Sequence, residues 1–371
     1  MPGLLNHVDP SGLLEYSVVY TDRALNHMSQ EFQTVMRDIS HSLKSVYSAD
    51  SAVVVPGSGT FAMEAVARQF ANNENCLIIR NGWFSYRWSQ ILDAGSIAAK
   101  TTVLKAQRSA NGSYAPTPVE SVVETIKNEK PAVVFAPHVE TASGMMLPES
   151  YIRSIGQAAK EVGALFVLDS IASGAEWVNM SESNVDVLIS APQKGWSASP
   201  CCGLVMMNER ALTRLSETES SSFACNLKQW HKIMEAYLAG NHAYYATMPT
   251  DALKQFRNTI KEMKAIGFDN LKMQQRELGK RIRKVLSDRG FQSVADNGFE
   301  AAGVVVSYTE DAFIKSGAKF KEFGMQIAAG VPLQCDEPED FQTFRLGLFG
   351  IDKLQNISRT VRSLEAVLKE F

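Results

Sequence analysis

Residues 187–202 have the sequence VLISAPQKGWSASPCC and combine an apolar run with a single lysine. The apolar part, residues 185–190, is typical of a short buried strand, and Pro192 and Gly195 predict that it ends in a loop carrying Lys194. Loops held by a rigid sheet often carry catalytic residues. A solvated surface position is the alternative for any one of the 37 lysines and arginines, so Lys194 becomes a candidate through its neighbours.

An acid precedes this lysine at the end of another apolar run. Residues 164–173 read ALFVLDSIAS, which places Asp169 before a group of small residues. A carboxylate at one strand's carboxyl end and a lysine at the next strand's end face one crevice in an open parallel sheet. Pyridoxal phosphate uses both groups, because the lysine amine condenses with its aldehyde and the carboxylate partners its protonated ring nitrogen.

The sequence VVVPGSGT at residues 53–60 predicts a strand, a glycine turn and the start of a helix over residues 61–70. Backbone N–H groups and the positive end of a helix favour an anion, so Ser58, Gly59 and Thr60 are candidates for binding the cofactor phosphate. A helix-capping turn is the alternative for this motif alone. Its position upstream of Asp169 and Lys194 favours the phosphate site.

The composition excludes several classes of protein. The 371 residues are 45% hydrophobic and 21% charged, with a net charge of −3, which gives no electrostatic footprint for nucleic acid or anionic lipid. The N-terminus has no basic flank or apolar core of a secretion signal, and no apolar run reaches about 18 residues, so we expect a cytoplasmic protein. The five cysteines are too scattered for a disulfide framework, and no metal site is predicted.

The apolar pattern predicts an α/β fold. An amphipathic helix is predicted within residues 26–47, and helical stretches such as 61–70 and 118–128 fall between several of the later apolar runs. This alternation predicts a mainly parallel sheet covered on both faces. Seven runs resemble buried strands, and they are residues 52–55, 76–79, 101–104, 132–136, 164–168, 185–189 and 203–207.

The chain beyond residue 250 predicts a smaller α/β domain. Residues 251–290 carry lysine and arginine at helical spacing, which predicts a helix with a solvated basic face joining two domains. Strand-like runs follow at residues 302–308, 325–328 and 343–348, and a closing helix is predicted over 352–371. We therefore divide the chain into an N-terminal segment (1–25), a large cofactor-binding domain (26–250) and a small C-terminal domain (251–371).

At this point the chain resembles the class V branch of the fold-type-I pyridoxal-phosphate aminotransferases, which includes alanine–glyoxylate, serine–pyruvate and 2-aminoethylphosphonate aminotransferases. The resemblance runs from about Asn26 to the C-terminus and implies a seven-stranded large domain. It is carried by GSGT (57–60), NGWFSYR (81–87), HVETASG (138–144), LDSIAS (168–173), PQKGW (192–196) and FRLGLFG (344–350).

The resemblance implies roles for further residues. The aromatic that stacks on the cofactor corresponds to Phe84, although Trp83 is adjacent and larger, and Gln193 corresponds to the family's amide beside the lysine. Thr141 is placed to bond the cofactor ring or its aspartate partner. His138 is either a neighbouring group of the site or a core imidazole, and Arg87 is either a structural ion pair or a substrate contact.

Two further parts of the site are implied by the motifs. Tyr244 and Thr247 match a stretch that in relatives reaches the cofactor phosphate of the neighbouring subunit, which implies a homodimer. Arg345 lies in the FRLGLFG motif, where a guanidinium clamps an α-carboxylate through two parallel hydrogen bonds. An amino-acid substrate follows from that clamp.

Together these residues predict ping-pong transamination from a small amino acid to a 2-oxo acid of the pyruvate or glyoxylate type. A lyase, epimerase or desulfurase of the same branch is the alternative, although desulfurases usually have histidine before the lysine and this chain has Gln193. Residues 13–24 depart from the family pattern, which leaves the amino donor open. A non-enzymatic regulator of this fold is disfavoured because the charge does not suit a DNA-binding domain.

Overall fold

The computed structural model describes residues 8–371. Its first part alternates helices and strands as the apolar pattern predicts. The elements are α1 (Gln30–Tyr47), β1 (Ser51–Pro56), α2 (Gly59–Phe70), β2 (Asn75–Arg80), α3 (Trp83–Ala94), β3 (Lys100–Lys105), β4 (Gln107–Arg108), β5 (Tyr114–Ala115), α4 (Val119–Glu129), β6 (Val133–Pro137), β7 (Val139–Glu140), β8 (Met145–Met146), α5 (Glu149–Glu161), β9 (Leu165–Asp169), α6 (Met180–Ser183), β10 (Val187–Ser190), β11 (Cys202–Met207), α7 (Glu209–Glu217) and α8 (Leu227–Leu238).

A seven-stranded sheet in the order β1-β11-β10-β9-β6-β2-β3 forms the centre of this part. Only β11 runs antiparallel to its neighbours, β1 and β10, and the other pairings are parallel. The predicted mainly parallel α/β sheet is therefore confirmed, and each of the seven apolar runs corresponds to one of its strands. Their buried, near-continuous apolar sequences fit a sheet covered by helices on both faces.

The parallel strands bring their carboxyl ends to one edge of the sheet. Asp169, the last residue of β9, pairs with Ile189 in β10 on one side and with Pro137 in β6 on the other. The loops that follow these three strands therefore leave the sheet at neighbouring points. This edge is the crevice in which an open parallel sheet binds ligands.

The second part of the chain carries a smaller sheet in the order β12-β14-β13. The predicted long helix over 251–290 is two helices, because Gly267, with φ of +95°, interrupts it. The predicted strand over 325–328 is reduced to two residues. The elements are α9 (Thr250–Ile266), α10 (Phe268–Ser287), β12 (Val304–Tyr308), α11 (Ala312–Ser316), α12 (Ala318–Glu322), β13 (Ala328–Ala329), β14 (Thr343–Gly347), α13 (Ile351–Leu354) and α14 (Ile357–Leu368).

Helix α9 packs on the first helix of the chain. Arg257 in α9 donates to Glu31 at 2.8 Å and to Asp38 at 3.1 Å, and both acids belong to α1. The domain boundary at residue 250 stays a prediction.

The N-terminal segment and the four residues between it and α1 form no helix or strand over residues 8–29. Its first seven residues lie outside the described part of the chain. Among the helices of residues 8–371, none combines the length and apolarity that crossing a bilayer requires.

Candidate active site

Lys194 lies in the turn that follows β10 and is partly buried. The turn is fixed by its neighbours, because a Cβ at Gly195 would overlap the backbone carbonyl of Gly174. Trp196 is fully buried, and its indole N–H donates to Ser190 Oγ at 3.1 Å. The lysine side chain therefore leaves a backbone that is held on both sides.

Asp169 is buried at the end of the neighbouring strand, and its Oδ1 accepts the N–H of Ile171 at 3.0 Å. Burial raises the pKa of Asp169 to about 6, although that hydrogen bond and the charge of Lys194 act in the opposite direction. Burial also lowers the pKa of Lys194, against the attraction of Asp169. A lysine in this environment reaches its neutral, nucleophilic form more readily than a surface lysine.

The turn between β1 and α2 has the form of an anion site. Gly57 has φ of +121°, which favours glycine, and a Cβ on Gly59 would lie 2.6 Å from Ile171 Cδ1. Ser58 makes no capping hydrogen bond through its side chain. Because the first N–H groups of a helix have no partner within it, those of Gly59 and Thr60 are suited to bind an external anion.

Phe84, and not Trp83, faces the lysine. The centroid of the Phe84 ring is 5.8 Å from Lys194 Nζ, 5.4 Å from Arg87 Cζ and 5.5 Å from Arg345 Cζ. Trp83 instead packs against a tyrosine of its own helix, with ring centroids 5.7 Å apart. The structure thus places the phenylalanine among three cationic groups, and its stacking on the cofactor stays a prediction.

Glu140 is a residue of this site that sequence reasoning missed. It is almost fully buried and accepts hydrogen bonds from Phe84 N at 3.2 Å, Ser85 N at 2.8 Å, Ser85 Oγ at 2.7 Å and Ala142 N at 2.9 Å. The carboxylate therefore caps the start of α3 and fixes the backbone that carries the Phe84 ring. An acid close to the carboxyl end of a buried apolar strand, as at Asp169, was the available signal.

Two buried polar atoms beside Asp169 and Lys194 have no partner among residues 8–371. They are Ser170 Oγ and Gln193 Oε1. Unsatisfied buried polar atoms are uncommon in native proteins and are expected where a ligand or water binds. Gln193 was predicted from the sequence, whereas Ser170 was not.

Thr141 and His138 lie on the other wall of the crevice. Thr141 is buried, and its backbone oxygen accepts from Arg345 Nη1 at 3.4 Å. His138 is buried with Nδ1 2.7 Å from Ser173 Oγ, and burial lowers its pKa to about 3. The histidine is therefore neutral and hydrogen-bonded in the interior, and its role as a neighbouring group of the site stays a prediction.

Arg345 reaches the crevice from the smaller sheet. It lies in β14, paired with Val306 in β12 and Ala328 in β13, and its Nε donates to the oxygen of Ala329 at 2.7 Å. Burial lowers its pKa, which the charge of Glu140 opposes. The guanidinium is thus anchored by carbonyl groups and remains available for an anion.

Tyr244 and Thr247 are not brought into the crevice. Both are exposed, and the tyrosine hydroxyl lies 3.3 Å from Thr247 Oγ1. Tyr244 packs against His27 with ring centroids 5.6 Å apart, and the Tyr20 hydroxyl donates to the carbonyl oxygen of Met248 at 3.1 Å. The N-terminal segment therefore holds the loop that carries both residues.

The residues of the crevice fit pyridoxal phosphate. The cofactor presents an aldehyde, a basic ring nitrogen, a flat ring and a phosphate, and Lys194, Asp169, Phe84 and the turn before α2 supply a group suited to each. The unpartnered Gln193 Oε1 adds a buried acceptor beside the lysine. No group of three or more potential metal ligands occurs in residues 8–371.

This chain matches known proteins over most of its length. A family model described as Aminotransferase class-V matches residues 13–313. Alanine–glyoxylate aminotransferase 1 of Saccharomyces cerevisiae is 27% identical over 335 residues, which are 83% of this chain and 82% of the relative. A 2-aminoethylphosphonate–pyruvate transaminase of Syntrophobacter fumaroxidans is 24% identical over 351 residues, covering 92% and 90% of the two chains.

Solved structures give the same fold. An alanine–glyoxylate aminotransferase from Nostoc sp. superposes with a TM-score of 0.77 at 20% identity, covering 92% of this chain and 88% of that one. An aspartate aminotransferase of subgroup IV from Thermus thermophilus has a TM-score of 0.77 at 21% identity, with 93% of each chain covered. At these identities the likeness concerns the fold alone.

Proposed function

The chain belongs to the class V aminotransferase family, and on this basis we propose that it binds pyridoxal 5'-phosphate in the strand-end crevice. We further propose that it transfers the amino group of a small amino acid to a 2-oxo acid of the pyruvate or glyoxylate type. Alanine, glyoxylate and pyruvate appear in the names of its relatives. The observation that carries the proposal is the pairing of partly buried Lys194 with buried Asp169 at neighbouring strand ends.

In the proposed reaction, Lys194 transfers a proton and Asp169 holds one on the cofactor. Bound in the crevice, pyridoxal phosphate supplies an electron sink that makes the α-hydrogen of an amino acid acidic. The Lys194 amine would hold the cofactor aldehyde, and the same amine would take the proton from the substrate Cα and return a proton to the product. The Asp169 carboxylate keeps a proton on the ring nitrogen, and its burial strengthens that ion pair.

The remaining residues of the crevice bind and orient. The Phe84 ring would stack on the cofactor, Ser58, Gly59 and Thr60 would bind its phosphate, and Thr141 and Gln193 would offer hydrogen bonds to its polar groups. Arg345 holds the substrate α-carboxylate through a bidentate contact. Glu140 keeps the Phe84 turn in place and, since its oxygens already accept four hydrogen bonds, it does not act as a base.

We also propose a homodimer in which each active site is completed by the partner chain. Tyr244 and Thr247 are exposed in one chain, and their hydroxyl groups are suited to bind the phosphate in the other. Exposed Leu13, Tyr16 and Val18 offer an apolar surface that such an interface would cover. The activity then depends on association.

The test begins with the cofactor. Purified protein incubated with pyridoxal phosphate should gain a visible absorption band, and borohydride reduction followed by peptide mapping should place the cofactor on Lys194. Lys194→Ala should lose both signals, while Lys127→Ala, at an exposed lysine paired with Glu161, should keep them. Labelling at another lysine would refute the assignment.

The reaction is tested on the same preparation. Alanine should convert the bound cofactor to its amine form with release of pyruvate, and glyoxylate should reverse the change. Racemised, eliminated or desulfurated product without that conversion would replace the aminotransferase proposal with the lyase, epimerase or desulfurase alternative. A spectral shift without product would indicate a sensor.

A further inference from the structure

We propose that Arg87, acting with Thr60, binds the phosphate of the cofactor and does not contact the substrate. This inference rests on the proposed function, since it concerns the same crevice. The sequence left Arg87 open between a structural ion pair and a substrate contact. The contacts of the guanidinium point to a third role.

Arg87 is joined to the phosphate turn by a direct hydrogen bond. It lies in the first half of α3, and its Nη1 donates to Thr60 Oγ1 at 3.0 Å. Thr60 is the second residue of α2, where the backbone N–H groups have no acceptor within the helix. The guanidinium, the hydroxyl and these N–H groups therefore surround the point where an anion is expected at the start of α2.

The Thr60 hydroxyl links the two binding groups. A hydroxyl has one hydrogen to donate and two lone pairs with which to accept. Because Thr60 Oγ1 already accepts from Arg87, its own hydrogen is free to donate to a phosphate oxygen. The arginine thus orients the threonine as well as adding positive charge.

Arg87 has no carboxylate partner among residues 8–371, which excludes the structural ion pair. Arg210, another partly buried arginine of this chain, does have one, since it pairs with Asp186 at 2.8 Å. Arg87 uses one donor on Thr60 and lies over the Phe84 ring, and a guanidinium carries five donors. A partly buried cation with free donors is suited to an anionic ligand.

Arg87 and Arg345 are attached to different walls of the crevice. Arg345 bonds to the carbonyl oxygens of Ala329 and Thr141, while Arg87 bonds to Thr60. Thr60 belongs to the start of α2, which is assigned to the cofactor phosphate, whereas Ala329 belongs to the smaller sheet. Arg87 is therefore on the cofactor side, and Arg345 remains the single guanidinium for the substrate carboxylate.

The experiment compares two ligands that differ only in the phosphate. Cofactor-free protein is titrated with pyridoxal phosphate and with pyridoxal, and Kd is read from the visible band. Arg87→Met should weaken pyridoxal phosphate binding about 10- to 100-fold, the range for a lost charged hydrogen bond, and pyridoxal binding by less than about threefold. Thr60→Val should weaken pyridoxal phosphate binding about fivefold and leave pyridoxal binding unchanged.

Controls keep the result specific. Arg68→Met, at an arginine in the last turn of α2 that pairs with Glu64, should change neither Kd. The double variant should show less than the product of the two single losses, because the residues share one hydrogen bond. If Arg87→Met does not fold, Arg87→Gln, which also removes the charge, is held to the same expectation.

The outcomes separate this inference from the proposed function. Equal weakening of both ligands, or no weakening of either, would overturn the role of Arg87. An unchanged preference for pyridoxal phosphate together with weaker binding of a dicarboxylic 2-oxo acid would assign Arg87 to the substrate and also overturn it. Failure of wild-type protein to prefer pyridoxal phosphate over pyridoxal would instead contradict the proposed function.

Discussion

In the strand-end crevice, Asp169 exposes 8% of its surface and Glu140 exposes 1%, whereas in the N-terminal segment Tyr16 exposes 89% and Val18 exposes 103%. The crevice is fixed by the chain's own hydrogen bonds. The N-terminal segment instead surrounds a cavity of about 610 Å³ and presents apolar side chains to solvent. The difference supports our proposal that one chain builds the proton-transfer part of the site by itself, while a second chain supplies the phosphate contacts from Tyr244 and Thr247.

The largest expected effect is at Asp169. Asp169→Asn should bind the cofactor and lower kcat/KM by about 10³-fold, because the ring nitrogen loses its ionic partner. Burial raises the folded-state pKa of Asp169 from 3.8 to about 6, so the folded protein binds this proton more tightly than the unfolded chain. The contribution of Asp169 to the free energy of unfolding therefore falls as the pH rises from about 3.8 to about 6.

The same substitution should therefore raise the stability of the protein although it lowers its activity. Above pH 6, cofactor-free Asp169→Asn should be more stable than wild type by about 3 kcal/mol, the amount that corresponds to this pKa difference. Asp288→Asn, at an exposed aspartate, should stay within about 0.5 kcal/mol. Urea unfolding at pH 8 measures both, and a less stable Asp169→Asn would show that the buried charge is compensated within the chain.

The next effect is at Arg345, which lies at the border of the crevice. Arg345→Ala should lower kcat/KM for carboxylate substrates by about 30- to 1000-fold, and Arg345→Lys should recover little because it lacks the planar fork. Donors without an α-carboxylate, such as 2-aminoethylphosphonate, should be affected only in the oxo-acid half-reaction. Single-turnover rates with a donor panel measure this, with Arg359→Ala, at an exposed arginine, as control. Unchanged rates with alanine would remove Arg345 from the site.

A hybrid experiment tests the second half of the comparison. Lys194→Ala chains and Tyr244→Phe/Thr247→Ala chains should each have low activity. After equal mixing, half of the dimers are hybrids with one complete site each, so activity should reach about a quarter of wild type. Activity assays after subunit exchange, verified by mass spectrometry, measure this. No recovery would mean that Tyr244 and Thr247 serve their own chain.

The smallest effect concerns the link between the N-terminal segment and the Tyr244 loop. The Tyr20 hydroxyl donates to Met248 O at 3.1 Å and accepts from Met248 N at 3.4 Å. Tyr20→Phe should therefore destabilise this contact by about 1 kcal/mol and raise the Kd for pyridoxal phosphate slightly. Tyr16→Phe, at an exposed tyrosine, is the matched control. Equal melting temperatures for the two variants would show that the hydroxyl contributes nothing.

Much of the fold follows from local sequence. Buried parallel strands read as continuous apolar runs, so all seven were found within a few residues of their observed ends. The break at Gly267 was missed because the charged pattern continues across it, and helical spacing alone does not report a change of direction. The short β13 is set by pairing with β14, which is a tertiary effect.

Candidate site residues could be predicted from the sequence where a single polar residue stands at the end of a single buried strand. Asp169 and Lys194 were found in this way. Glu140 was missed because its hydrogen bonds join residues 55 and 56 positions apart, to Ser85 and Phe84, and exist only once β6 lies beside β2. The choice between Phe84 and Trp83 likewise depends on which side of α3 faces the lysine.

The close contact between Gly195 and Gly174 limits how this chain can vary. A side chain at 195 would meet backbone atoms and not a side chain, so no smaller neighbour can make room for it. Gly174 also has φ of +65°, which larger residues rarely adopt. Exposed loop positions of this chain tolerate replacement. Gly174 and Gly195 have no substitute that preserves the direction in which the Lys194 side chain leaves the backbone.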